Sequence, residues 1–126
     1  MPIDYHINIQ EGVVYTTGSG VVTPDDLRAV RARLAADADF SPNLRQIIDL
    51  RTMTGIGFTS QEVRELAADD SFGPDSRRAI LAGKDLDFGM ARMYAAGTGK
   101  IHENFRVFRD EDEARDWIGI APSTPD

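Results

Sequence analysis

The chain has 126 residues, no cysteine, and a formal net charge of −7 from 14 basic and 21 acidic residues. This length predicts one domain with a sizeable buried core. The lack of cysteine excludes a disulfide scaffold, a thiolate metal site and a cysteine nucleophile. The acidic balance argues against general nucleic-acid binding and against adsorption to anionic membranes, because both need a basic surface.

The N-terminal segment predicts a β-hairpin. Residues 3–10 alternate between apolar and polar side chains, which is the period of a strand with one solvent-facing side. Glu11-Gly12 is a turn signal, and a β-branched second strand is expected to run from Val13 to about Val22. Gly18 and Gly20 within it predict a bulge or a close backbone approach.

A helix and a short strand follow the hairpin. Thr23 is a suitable N-cap, and Pro24 suits the first helical position. An apolar stripe marks the buried face of this helix: Leu27, Val30, Leu34 and Ala38. Residues 45–50 then form a short apolar strand, and residues 51–58 are expected to be a loop.

The remaining elements repeat the alternation of helix and strand. Thr59 and Glu62 match a capping box at the start of a second helix, whose inward face is Val63, Leu66 and Ala67. Residues 78–82 and 105–108 are predicted strands, a third helix begins near residue 85, and Asp110 begins the last. The predicted fold is α/β, a mixed five-stranded sheet made of the N-terminal hairpin plus parallel βαβ units, with about four helices.

Domain organisation and location follow from composition. Residues 1–120 are expected to form a single domain, and residues 121–126 a flexible tail rich in proline, serine and threonine. The N-terminus lacks the basic and apolar regions of a signal peptide, and no apolar run approaches the roughly 20 residues that cross a bilayer. A cytoplasmic protein without membrane insertion is therefore expected.

The sequence contains no complete motif for a cofactor or a metal. Residues 55–60 begin like a dinucleotide-binding loop, but Ser60 stands where the third glycine belongs. Residues 97–100 resemble the end of a phosphate-binding loop but follow a predicted helix, and His6 and His102 lack metal-ligand spacing. We expect no cofactor and no metal, and no catalytic constellation is visible.

One segment, residues 49–60, could bind or carry an anion. It joins the end of a predicted parallel strand to a helix N-terminus, where free backbone N–H groups favour negative charge. The candidate phosphoacceptor or anion-binding residues are Asp49, Arg51, Thr54, Thr59 and Ser60. The plainer interpretation is that Thr59 only caps a helix. A weaker hypothesis is an enzyme for a phosphorylated or carboxylated substrate, with Arg51 as the anion clamp and Asp49 as the base.

A second segment carries bulky, soft side chains at helical spacing. These are Phe88, Met90, Met93 and Tyr94. They could line an apolar ligand pocket or form a dimer seam, although such spacing is more often ordinary core.

The order of these motifs resembles a known family. The strand Ile-Ile-Asp-Leu-Arg, the segment Arg-Arg-Ala-Ile-Leu-Ala…Phe-Gly-Met-Ala-Arg-Met and the ending Phe-Arg-Val-Phe-Arg-Asp…Trp-Ile are similar to the STAS-like, SpoIIAA-like domains, in an uncharacterised bacterial subgroup. The resemblance covers roughly residues 3–118. It implies a non-enzymatic signalling domain that binds a protein partner, such as a kinase or an anti-sigma-like protein. A homodimer is expected as well, because small domains of this kind often pair through a sheet or helix face.

The resemblance also bears on the site. In anti-sigma-factor antagonists a kinase phosphorylates a serine of an Asp-Ser-Ser-Gly motif at the start of the second helix. The matching stretch here is residues 57–60, which puts Thr59 at the phosphoacceptor position. Gly57 and Ser60 replace the aspartate and the glycine of the motif, which is therefore degenerate. Related Sec14-like domains bind lipids, so a small apolar ligand or lipid is the alternative function.

Overall fold

The computed structural model describes residues 2–56, 59–68, 72–73, 75–83, 89, 91–93 and 104–121. Its elements, in chain order, are β1 (Ile3–Asn8), β2 (Val13–Val22), α1 (Pro24–Ala35), β3 (Arg45–Ile56), α2 (Ser60–Ala68), β4 (Arg78–Leu81), α3 (described only at residues 89 and 91–93), β5 (Phe105–Phe108) and α4 (Glu111–Ile118). The predicted start of α3 lies outside the described residues.

The five strands form one sheet in the order β1-β2-β3-β4-β5. β1 pairs antiparallel with β2, and every later pair is parallel. Parallel neighbours need long crossover connections, and the helices provide them. The predicted mixed sheet, a hairpin followed by parallel βαβ units, is confirmed.

Helices cover both faces of this sheet. Val13 and Val14 are both fully buried, and because successive strand residues point to opposite faces, they mark two separate cores. On one face, α4 inserts Ala114 and Ile118 against the strands. On the other face, α1 packs Val30 against β1, β2 and β3, and α2 lies beside α1.

The predicted helix caps are confirmed. The Thr23 hydroxyl accepts from the backbone N–H of Asp26 at 3.2 Å, and the Asp26 carboxylate accepts from the Thr23 N–H at 3.0 Å. Asp110 caps α4 by accepting from the backbone N–H of Glu113 at 2.9 Å. α1 is shorter than its predicted stripe: it ends at Ala35, and Ala38 is exposed beyond it. The Asp37 carboxylate accepts from the Tyr5 hydroxyl at 2.7 Å, which holds the chain beyond α1 against β1.

β3 is twice as long as predicted, and the loop expected at residues 51–58 was wrong for residues 51–56. β2 supplies the reason, because its last four residues continue the parallel ladder beside residues 52–56. Met53 is buried under α1 and fixes this extension. The predicted irregularity in β2 is confirmed: the register shifts twice around Gly18 and Gly20, and Gly20 has a φ of 64°.

A buried cation links the three central strands. Arg78 is 3% exposed, and its Nε donates to the side-chain oxygen of Gln46 at 3.0 Å. Gln46 in turn donates to the Thr16 hydroxyl at 3.0 Å. The guanidinium carbon of Arg78 lies 4.3 Å and 4.4 Å from the ring centres of Phe72 and Phe105. The two ring faces supply the cation–π contacts that favour a charge in an apolar core.

Side chains of β1 and α1 obstruct the outer edge of β1 at Tyr5. The Asp4 carboxylate accepts from the backbone N–H of Tyr5 at 2.8 Å. Arg33 of α1 pairs with the same carboxylate at 3.1 Å, and its guanidinium lies 5.4 Å from the centre of the Tyr5 ring. α1 therefore braces the edge strand as well as the core.

We predict that Gly18→Val lowers the free energy of unfolding by about 1–3 kcal/mol, the usual effect of overpacking a core. A Cβ atom at Gly18 would lie 3.1 Å from Leu50 Cδ2 and 3.5 Å from the Met53 side chain. Denaturant unfolding measures the difference. Ser19→Val is the matched control, because Ser19 is exposed on the same strand. Equal unfolding midpoints for the two variants would contradict the prediction.

Candidate functional site

Asp49 and Arg51 form an ion pair on β3. The Arg51 guanidinium donates from Nε to Asp49 Oδ1 at 3.0 Å and from Nη2 to Oδ2 at 2.8 Å. The backbone N–H of Arg51 donates to the same Oδ1 at 3.0 Å. This two-pronged geometry is the strongest form of arginine–carboxylate contact, and it fixes both side chains.

The same arginine also reaches the last helix. Arg51 Nη2 donates to Glu111 Oε1 at 3.0 Å, and Glu111 is the first residue of α4. We call Asp49, Arg51 and Glu111 the Arg51 clasp, because they join β3 to the N-terminus of α4. These contacts use the Nε and Nη2 donors of Arg51.

Asp49 and Arg51 both keep their charge near neutral pH. Burial raises the pKa of Asp49, but the side-chain and backbone hydrogen bonds from Arg51 together outweigh it, so this pKa lies below its ordinary value of 3.8. The hydrogen bond to Asp49 raises the pKa of Arg51, with Glu111 adding to the effect. A general base needs a pKa near the working pH. The clasp therefore suits a structural tie better than the proton-accepting role considered for Asp49.

A second polar group continues along the same face of the sheet. Arg115 of α4 pairs with Glu11 at 3.3 Å and donates to the Tyr15 hydroxyl at 3.2 Å. Tyr15 donates to Glu11 at 2.5 Å, and its ring stacks on His6 with centres 5.0 Å apart. Burial and the hydrogen bond to Glu11 raise the pKa of Tyr15. These contacts hold the middle of α4 to β2.

The hydroxyls of the candidate segment have different surroundings. Thr54 lies on β3 and is exposed. Thr59 caps α2: its hydroxyl accepts from the Glu62 N–H at 3.1 Å, and its own N–H donates to the Glu62 carboxylate at 2.9 Å. The predicted capping box is thus confirmed. Ser60 is the first residue of α2, and it is exposed.

The candidate residues of segment 49–60 therefore lie in two separate places. Asp49 and Arg51 meet in the clasp, whereas Thr59 and Ser60 stand at the start of α2. In the part of the chain that the structure describes, no hydrogen bond or ion pair joins the clasp to either hydroxyl. Sequence reasoning missed Glu111 as a partner of Arg51, because 60 residues separate them along the chain.

The second candidate segment is described only in part. Met93 is helical and half-buried, and the neighbouring Ala91 is buried in the core with Ile80 and Phe105. Phe88, Met90 and Tyr94 lie outside the described residues. The pocket or dimer seam assigned to these side chains stays a prediction.

In the described ranges, no three histidine, aspartate or glutamate side chains come together as metal ligands would. Among the same residues, no helix is long and apolar enough to cross a bilayer.

The sheet order and the capped helix after the central strand define the class of protein, an α/β domain with the SpoIIAA-like fold. A solved structure of an uncharacterized protein from the DUF3478 family, from Shewanella loihica PV-4 and with a SpoIIAA-like fold, is similar to this chain with a TM-score of 0.60. The two chains are 20% identical, over 92% of this chain and 93% of that one. No curated protein matches the chain.

The SpoIIAA-like family profile matches residues 13–119. The chain therefore belongs to the SpoIIAA-like family, which confirms the resemblance seen in its motifs.

We predict that Arg51→Met raises the pKa of Asp49, because burial remains while the hydrogen bonds are lost. The lowered pKa in the folded protein stabilises it above the unfolded-state value near 3.8, and this contribution is lost as the pH falls through the folded-state value. The variant should lose about 1 kcal/mol or less at neutral pH, since the pair is partly exposed, and the difference should shrink in acid.

Carboxyl NMR titration and urea unfolding at neutral and acid pH check this. Arg28→Met removes an exposed ion pair with Asp25 on α1 and serves as the control. An unchanged Asp49 titration in Arg51→Met would show that the clasp does not hold that carboxylate.

Proposed function

We propose that this domain is a non-enzymatic, cytoplasmic regulatory module that binds a protein partner through the first turn of α2. Membership of the SpoIIAA-like family supports a regulatory domain, and the exposed Ser60 side chain beside a complete capping box is the observation that carries the proposal. The cap satisfies the backbone N–H groups of Thr59 and Glu62, which keeps the first turn of α2 from fraying. The turn therefore presents an ordered surface to a partner.

Within this turn, two contacts favour Ser60 over Thr59 as the phosphoacceptor. The Thr59 hydroxyl already accepts from the Glu62 N–H, and the Glu62 carboxylate lies 2.9 Å from the Thr59 nitrogen. A phosphate on Thr59 would break this cap and face a like charge. A phosphate on Ser60 would stand at the positive end of the helix and leave the cap intact. We therefore propose Ser60 as the phosphoacceptor, one residue beyond the position that the family motif indicates.

The proposed partner is a kinase or an anti-sigma-like protein that reads the charge of this turn. In its neutral form the turn offers a serine and a threonine at the surface, and phosphorylation would add about −1.5 to −2 charge to the same spot. Such a change alters partner affinity without altering the fold, because α2 keeps its buried face of Val63, Leu66 and Ala67. We also propose that the domain acts as a homodimer.

Ser60→Glu should weaken partner binding by roughly tenfold or more, within the range of regulatory couplings. The partner is first captured from the host with the unmodified domain, and its affinity is then measured by calorimetry. Ser19→Glu is the matched control, because it makes the same change at an exposed serine on β2, outside this turn. Equal affinity of Ser60→Glu and the unmodified domain for the captured partner would refute a switch at this turn.

Native mass spectrometry of protein purified from its host, repeated after denaturation, separates the proposal from the alternative. A covalent phosphate survives denaturation, and fragmentation should map it to Ser60. A mass increment that disappears on denaturation would instead favour a small apolar ligand or lipid, with the pocket predicted around Met93. A phosphate mapped to Thr59 would refute the assignment to Ser60.

A further inference from the structure

The single tryptophan lies between two arginines at the end of α4. The guanidinium carbons of Arg77 and Arg106 lie 5.4 Å and 5.2 Å from the centre of the Trp117 ring. Arg77 also donates to the Trp117 backbone oxygen at 2.6 Å. Both arginines are exposed and the indole is only half-buried, so the cluster forms part of the surface. Tryptophan and arginine are the side chains most enriched in energetically dominant interface sites.

The opposite charge stands one turn away on the same helix. Glu113 precedes Trp117 by four residues, so the two side chains share one side of α4, about 6 Å apart along its axis. Glu113 is exposed, as are Asp112 and Asp116 beside it. Within the described ranges, neither Arg77 nor Glu113 has an ion-pair partner. We call Arg77, Arg106, Glu113 and Trp117 the Trp117 patch.

We infer that the Trp117 patch is the homodimer interface, in which α4 packs antiparallel against α4 of a second copy. A two-fold axis across the middle of the patch would bring Glu113 of each copy to Arg77 of the other, so that this opposite-charge contact forms twice. Self-complementarity of this kind is what a two-fold interface requires. A partner of a different sequence would need the same pairing of charges, whereas a second copy carries it already.

Charge also argues for this particular face. With a net charge of −7, two copies repel each other unless their contact surfaces are locally complementary. The Trp117 patch brings an arginine pair and a glutamate to one side of one helix. The patch lies on the α4 face of the sheet, whereas α2 lies beside α1 on the other face. This inference specifies the self-association in the proposed function and does not depend on partner binding at Ser60.

Charge reversal tests the interface. Arg77→Glu and Glu113→Arg each place like charges opposite each other and should raise the dimer dissociation constant by at least about tenfold. The double variant Arg77→Glu/Glu113→Arg restores both pairs and should dimerise like the unmodified chain. A mixture of the two single variants should form the heterodimer for the same reason. Arg28→Glu on α1 and Glu65→Arg on α2 are controls with the same changes of net charge at exposed sites.

Sedimentation velocity across a dilution series measures the dissociation constants, and native mass spectrometry identifies the heterodimer. Tryptophan fluorescence gives a local readout, because Trp117 is the only tryptophan and its emission should shift to the blue as the dimer excludes water. Circular dichroism checks folding. Glu113→Arg leaves the bond between Arg77 and the Trp117 oxygen untouched, so its effect does not depend on that contact.

The inference is overturned if the unmodified chain stays monomeric across the series, if the single reversals dimerise as well as their controls, or if the double variant fails to restore dimerisation. A monomer whose binding to the captured partner still depends on Ser60 would overturn only the dimer. A dimer broken by charge reversal, with partner binding indifferent to Ser60→Glu, would overturn only the switch.

Discussion

The parallel pairing of β2 with β3 is the contact on which the other elements depend. This pairing is longer than the other strand pairings of the sheet, and it runs from Val13 opposite Arg45 to Val22 opposite Ile56. Residues 45–51 of β3 also reach both ends of α4. Arg51 holds the first residue of that helix, while Arg45 donates to the Ile118 backbone oxygen at its last turn at 2.9 Å. Cations at a helix C-terminus and carboxylates at its N-terminus both complement the helix dipole, so β3 fixes a helix of only two turns.

This arrangement gives the two faces of the sheet different surfaces. On the face of α4, arginines from β3 and from the residue before β4 tie the helix down, and the Trp117 patch is left at the surface. On the face of α1, the start of α2 is built from local caps and carries the exposed Ser60. A change at one face need not disturb the other, because Val13 and Val14 anchor separate cores. The proposed dimer contact and the proposed partner site thus lie on separate faces of the sheet.

The features that could be predicted from the sequence are those set by near neighbours. The caps at Thr23 and Thr59 depend on residues three positions ahead, so the spacing alone identifies them. The full length of β3 could not be predicted, since residues 52–56 become a strand only because the end of β2 lies beside them. The partner of Arg51 could not be predicted for the same reason. Glu111 is 60 positions away in sequence, and only the fold brings it to Arg51.

The side chains that close the edge of β1 affect how the protein behaves when it is concentrated. Exposed edge strands are templates for intermolecular sheet growth, and native proteins obstruct them with charge. Here Asp4 takes up the N–H of Tyr5 and is itself held by Arg33, so a strand that pairs with β1 at Tyr5 would have to break both contacts. Intermolecular sheet growth from this edge should accordingly be slow in concentrated solutions.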